Sequence, residues 1–181
     1  MKIQVGATML LAGVLLAGCG NGEQGQSNET KKVEQTTTAE VLNLIDGRLK
    51  EPAKDERCAF CHMKVYQKEH KFGGFAAQAI DESGNNLFFD DAGCMLNYER
   101  EHNVTLEKFV RDYDSKEWLK LDDAKIVQAS IQTPMNYGFA YFKKEASAKK
   151  FMKNYDDAKL VAVAAIDDVA TDKMNMKKHH E

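Results

Sequence analysis

The chain lacks a basic stripe. Its 25 lysines and arginines are outnumbered by 28 aspartates and glutamates, for a net charge of −3. A nucleic-acid partner is therefore not expected, because phosphate recognition draws on clustered cations. Past residue 18 there is no apolar run of membrane-spanning length. Glycine-rich phosphate loops and a nucleophile paired with a base are also missing, so the sequence does not read as an enzyme. Cysteines are few, and outside the N-terminal region they are odd in number: Cys58, Cys61 and Cys94. A purely structural disulfide framework uses an even count, which leaves at least one thiol for chemistry or metal.

The N-terminus supplies the compartment. Lys2 is followed by an apolar stretch, Met9–Ala17, of signal-peptide length, ending in Leu16-Ala17-Gly18-Cys19. Small residues before a cysteine resemble a bacterial lipobox. Residues 1–18 are expected to be removed, taking Lys2 and one positive charge with them, and Cys19 to become the acylated (palmitate-type) N-terminus. Two or more acyl chains hold a protein stably at a surface, so the expected location is the extracytoplasmic face of the cell membrane. Residues 19–50 read as a tether, most clearly in the Gly/Asn/Gln/Ser/Thr-rich part at 20–38. Such a segment reaches on the order of 25–30 Å from the membrane. Ala39–Leu49 is a candidate short helix.

The globular part is expected over residues 51–170. Phe72–Ile80 and Leu87–Phe89 read as strands joined by the turn Asp81-Glu82-Ser83-Gly84-Asn85-Asn86. Asp90 or Asp91 can cap a helix through about Arg100, with Cys94 in its first turn. Phe109–Tyr113 reads as a strand, and Trp118 as a core residue. A similar order follows: strand Lys125–Gln132, turn Thr133–Asn136, strand Gly138–Phe142 and helix Lys144–Tyr155, whose Ala148, Phe151, Met152 and Tyr155 recur at helical spacing. Leu160–Ile166 is an apolar run suited to a buried strand. The element order predicts an α+β fold of two related ββα units. Residues 171–181 form a Met- and His-containing tail, read as frayed or as a weak metal-capture site.

The chemistry concentrates in Cys58-Ala59-Phe60-Cys61-His62-Met63. Two cysteines three apart can hold one ion, and Met63 adds a neutral thioether. Soft sulfur donors select copper(I). The same residues also match covalent c-type haem attachment through Cys-x-x-Cys-His, which would make the protein an electron carrier. Structural zinc with a fourth ligand, an extracytoplasmic dithiol redox pair and a simple staple are further readings. Cys94, at a helix N-terminus, is either a ligand whose pKa the helix lowers or a small buried hydrophobe. Met135, in a turn after Pro134, is a candidate thioether ligand. Met95 and Met152 read as packing residues, and His70 and His102 as surface residues.

A family resemblance appears on an ordered series: Cys58-x-x-Cys61-x-Met63, then Phe88-Phe89-Asp90-Asp91-x-Gly93-Cys94-Met95, then Asp112-Tyr113 before Glu117-Trp118, then Pro134-Met135-x-x-Gly138-x-x-x-Phe142. Over about residues 53–170, and including the lipobox, the chain resembles the NosL family of lipoprotein copper chaperones linked to nitrous oxide reductase maturation. The resemblance implies a duplicated α+β fold similar in architecture to organomercurial lyase. It also implies copper(I) on Cys58, Cys61 and Met63, with His62, Cys94 and Met135 as further candidates, and a copper-accepting reductase or its maturation machinery as partner. His62 stands where a small or polar residue is expected of the family.

Overall fold

The computed structural model describes residues 47–178. Cys19, the signal and tether regions up to residue 46, and the end of the tail at 179–181 lie outside the described residues.

The first half is a ββαβ unit. Strand β1 (Ala77–Ile80) pairs antiparallel with β2 (Asn86–Phe89), helix α1 (Ala92–His102) follows, and β3 (Glu107–Arg111) returns to the other side of β1. Thus Ala77 sits opposite Phe89 on one side and Val110 on the other. A fourth strand, β4 (Trp118–Lys120), extends this sheet to the order β2-β1-β3-β4. The hairpin turn closes because Asp81 accepts the Ser83 and Asn85 amides and Gly84 takes a φ of 81° that few side chains tolerate.

The second half repeats the arrangement. Strand β5 (Lys125–Gln128) pairs with β6 (Phe139–Phe142), helix α2 (Glu145–Met152) follows, and β7 (Lys159–Val161) returns to the far side of β5, in the order β6-β5-β7. The expected duplication is therefore present, as ββαβ rather than ββα. In each copy the first strand of the hairpin is central. Helix α3 (Val163–Lys178) closes the chain and packs along α1. Tyr113 donates its amide to Tyr141 O at 2.7 Å, and Asp112 Oδ1 accepts the Lys143 amide at 2.7 Å, linking the end of β3 to β6.

Three segments differ from the sequence-based expectation. Phe72–Ile80 is a strand only from Ala77, because Gly73–Phe75 forms a 3-10 turn in which a Cβ on Gly73 would lie 2.2 Å from Gln67 O. Leu160–Ile166 is not a buried strand: Leu160 is 43% exposed at the edge of the sheet, and the chain turns helical at Val163. The run Ala162-Val163-Ala164-Ala165-Ile166 is rich in alanine, the best helix former. The helix α3 that this run begins buries Ile166 and Ala170, four residues apart on one face. That helix also takes in residues 171–178 of the expected tail. Trp118, Met95 and Met152 pack as expected, and His70 and His102 are exposed.

Candidate metal centre

The Cys58–Met63 segment is the tip of a small hairpin. Arg57 and Lys64 form an antiparallel bridge. Above it the Cys58 amide donates to Met63 O at 2.8 Å, and the His62 amide donates to Cys58 O at 3.0 Å. His62 completes the turn with a φ of 61°, in the left-handed region. The Cys61 amide points at Cys58 Sγ, 3.5 Å away, so the turn itself gathers both sulfurs. One further bond docks the tip on the first sheet: the Ala59 amide donates to Phe88 O at 2.9 Å.

Docking there brings the tip to the corner between β2 and α1. Asp90 follows the last residue of β2, and Cys94 is the third residue of α1. Cys58, Cys61, Asp90 and Cys94 each offer one donor atom, and these atoms lie within 4.8 Å of one another. Cys58 and Cys94 are wholly buried and Asp90 is buried, while Cys61 is half-buried and is the side of the cluster nearest solvent. Three sulfurs around one ion at bond lengths of about 2.3 Å would stand roughly 4 Å apart, so a modest contraction converts this cluster into a trigonal thiolate site.

Charge crowding sets its protonation. The Cys61 thiol is drawn down to about 4, chiefly by hydrogen bonds from Cys58 and then Cys94. Cys94 moves the opposite way, pushed up by its thiol neighbours Cys58 and Cys61 and then by burial. The sequence-based expectation that the helix terminus lowers the Cys94 pKa is therefore overturned, since desolvation and neighbouring thiols outweigh a helix end. Burial, followed by the charge of Cys58, raises Asp90 to about 7. Cys61 Sγ and Asp90 Oδ1 are 3.4 Å apart, near enough to share a proton. The cluster thus favours the thiolate at Cys61, while Cys94 keeps its proton and Asp90 is about half protonated near pH 7. An incoming cation displaces those protons and finds its donors already assembled.

A second ring of residues comes from the other repeat. Thr133 Oγ1 donates to Asp91 Oδ2 at 2.6 Å and accepts the Tyr137 amide at 3.1 Å. The Tyr137 hydroxyl lies 3.9 Å from Cys94 Sγ. The ring of Tyr137 rests on Gly93, where any Cβ would come within 2.5 Å of it. Burial raises Asp91 to about 7 against the opposing Thr133 bond, and burial, with Cys94 second, raises Tyr137. From α3, Lys173 Nζ donates to Met135 O at 3.1 Å and Asn136 O at 2.7 Å, pinning this turn in place.

Of the sequence-based candidates, Cys58, Cys61 and Cys94 come together. Met63 is 57% exposed at the hairpin tip, and His62 is exposed beside it. Met135 is half-buried in the turn that carries Thr133 and Tyr137. Asp90 was read only as a possible helix cap, and its place in the cluster was missed. The signal available was two acids directly after an apolar strand and four residues before a cysteine. The geometry does not suit covalent haem, in which both cysteines flank a porphyrin and the histidine reaches its iron. Here Cys58 is buried among thiols and core residues, and His62 is exposed.

The class is thus an α+β protein of two ββαβ units with a buried, thiol-rich cluster able to hold a metal ion at one corner. The NosL family model matches residues 50–173, and the chain belongs to the NosL family. Among solved structures, it is similar to the crystal structure of the copper chaperone NosL from Shewanella denitrificans, with 13% sequence identity and a TM-score of 0.52 over 64% of this chain and 92% of that one. No curated protein sequence matches.

Proposed function

We propose that this protein is a lipid-anchored, extracytoplasmic chaperone that binds copper(I) as cargo and delivers it to a multicopper reductase of the nitrous oxide reductase type. The observation that carries the reading is the cluster of Cys58, Cys61, Cys94 and Asp90 within 4.8 Å. Three soft sulfurs suit copper(I), which is content with two or three such donors. Family membership and the likeness to a copper chaperone support it.

The residues divide the work. Cys58 and Cys94 hold the ion from the core side, and half-buried Cys61 is the sulfur an acceptor reaches first. Asp90, whose carboxylate lies in the same cluster, takes a proton displaced from Cys94 on loading and returns it on release. Met63 offers an exposed thioether at the rim, outside the reach of disulfide formation. Lipidation at Cys19 and the tether at 19–50 keep the site within reach of membrane-associated partners.

The deciding experiment is metal content and copper(I) chelator competition on anaerobically purified protein. One copper(I) is expected per chain, with affinity lost when Cys58 and Cys61 are oxidised to each other. Equal affinity in both redox states, or covalent haem in the protein as isolated, refutes the assignment. Anchoring is tested separately: Cys19→Ala should release the protein from membranes, and retention of that variant rejects the lipoprotein reading.

A further inference from the structure

The surface around the metal loop differs in charge from the rest of the chain. Residues 50–71 carry six cations against four acids, although the whole chain has a net charge of −3. Three of those cations gather at the sides of the metal hairpin. Lys54, Arg57 and Lys64 are exposed and, with Asp55, line a shallow cavity of about 500 Å³. Of the other three acids here, Glu51 is engaged by buried Arg111 at 2.6 Å, Glu56 accepts the Ala53 amide at 3.3 Å, and Glu69 is exposed. Arg57 and Lys64 face each other across the bridge that holds the tip. At that tip stands Met63, one of four large apolar side chains exposed among the described residues.

We infer that the hairpin tip is a docking surface for an acidic protein face, with Met63 as the apolar contact and Lys54, Arg57 and Lys64 as the charged ring around it. This rests on the copper-delivery reading for its purpose. The partner is expected here because half-buried Cys61 is carried on this hairpin, two residues before Met63, while Cys58 and Cys94 are buried in the core. An exposed thioether with a cationic border suits a patch of Asp and Glu surrounding an apolar or thiol centre. Complementary charge of this kind raises encounter rates and orients the partner more than it adds affinity. The contact should therefore be fast, weak and salt-sensitive.

The test uses the full chain, free of metal, so that docking is read apart from copper binding. Two fluorescent synthetic peptides share one apolar centre, one flanked by glutamates and the other by lysines, and contain no cysteine. Fluorescence anisotropy should show the acidic peptide binding about tenfold or more tightly than the basic one at low salt, with the difference closing at high salt. Arg57→Glu with Lys64→Glu should reverse the preference in protein whose circular dichroism is unchanged. Lys54→Glu, outside the bridge, should shift it the same way by a smaller factor and guards against a folding defect in the double variant. Equal binding of the two peptides, insensitivity to salt, or no change in folded Lys54→Glu overturns the docking surface. Because copper(I) loading is measured separately by chelator competition, a failure of docking leaves the metal assignment standing, and a failure of loading leaves the peptide result readable.

Discussion

The two repeats place the same corner in the same register and fill it with opposite chemistry. Phe89 and Phe142 each end the second strand of a hairpin, and each pairs with the first residue of the central strand, Ala77 or Lys125. Both helices begin three residues later, at Ala92 and Glu145. Counting from there, Asp90 corresponds to Lys143, Asp91 to Lys144 and Cys94 to Ser147. One corner gathers soft donors and carboxyls, while the other carries two exposed ammonium groups and a hydroxyl. What the first corner has besides its own residues are two additions from elsewhere. The Cys58–Cys61 hairpin precedes its first strand, and the long β5–β6 turn closes over it from the second repeat. The fold supplies a corner, and the function comes from what is attached to it.

The comparison breaks most sharply at Cys94. Cys94→Ser gives the first corner the residue of the second, and copper(I) affinity should fall by about a hundredfold, near 3 kcal/mol, in chelator competition. The converse change, Ser147→Cys with Lys143→Asp, should create no tight site, because no second Cys-x-x-Cys hairpin docks there. Tight binding at the grafted corner would mean that the corner alone suffices. Next in size is Gly93→Ala, which copies Ala146 of the second repeat. The added methyl meets the Tyr137 ring, and thermal unfolding should report a loss of about 1–3 kcal/mol. An unchanged melting temperature would show that the β5–β6 turn yields freely.

A smaller effect tests the seam between the repeats. Burial would raise the Asp112 carboxyl, but bonds from the Lys143 amide and from the Ser115 amide and hydroxyl outweigh it and hold its pKa below the usual range. A depressed folded-state pKa contributes stability that is present above about pH 4 and lost as pH falls through the folded value. Acid unfolding should therefore be gentler on its low-pH limb in Asp112→Asn, from a lower starting stability. Parallel curves for the two proteins would remove Asp112 from the seam. The smallest change expected is His62→Gly. Glycine relieves the left-handed backbone but costs more entropy on folding, so stability should move by less than about 1 kcal/mol. Copper(I) affinity should hold within a few-fold, whereas Met63→Leu should weaken it clearly. The reverse pattern would make His62 a ligand in place of Met63.

The sequence was informative where signals are local. The hairpin β1–β2, the helix bearing Cys94 in its first turn and the repeat of that order were legible from turn residues and periodicity. So was the closeness of Cys58 and Cys61 to each other. Strand β4, of three residues, left no periodicity to read. The alanine-rich run after Lys159 fits a buried strand and a helix equally by hydrophobicity, and packing on α1 decided between them. The roles of Asp90, Thr133 and Tyr137 were not legible, because their partners are remote: 29 residues separate Asp90 from Cys61, and 43 separate Tyr137 from Cys94. The upward shift of Cys94 has the same origin, since it depends on sulfurs 33 and 36 positions away in the chain.

The Lys173 clamp on the β5–β6 turn has a consequence for the lifetime of the empty protein. The cluster at residues 58–94 is covered by residues 133–137, which are held in turn by the last helix, so almost the whole described chain supports one corner. An ion bound only by the folded form stabilises that form by an amount that grows with the logarithm of its concentration over Kd. That gain is distributed from the first hairpin to the C-terminal helix. A chain without cargo would open more often, and proteases act on opened chains. On the copper-delivery reading, turnover would then record metal supply: copies that carry copper would persist, and copies that do not would be cleared.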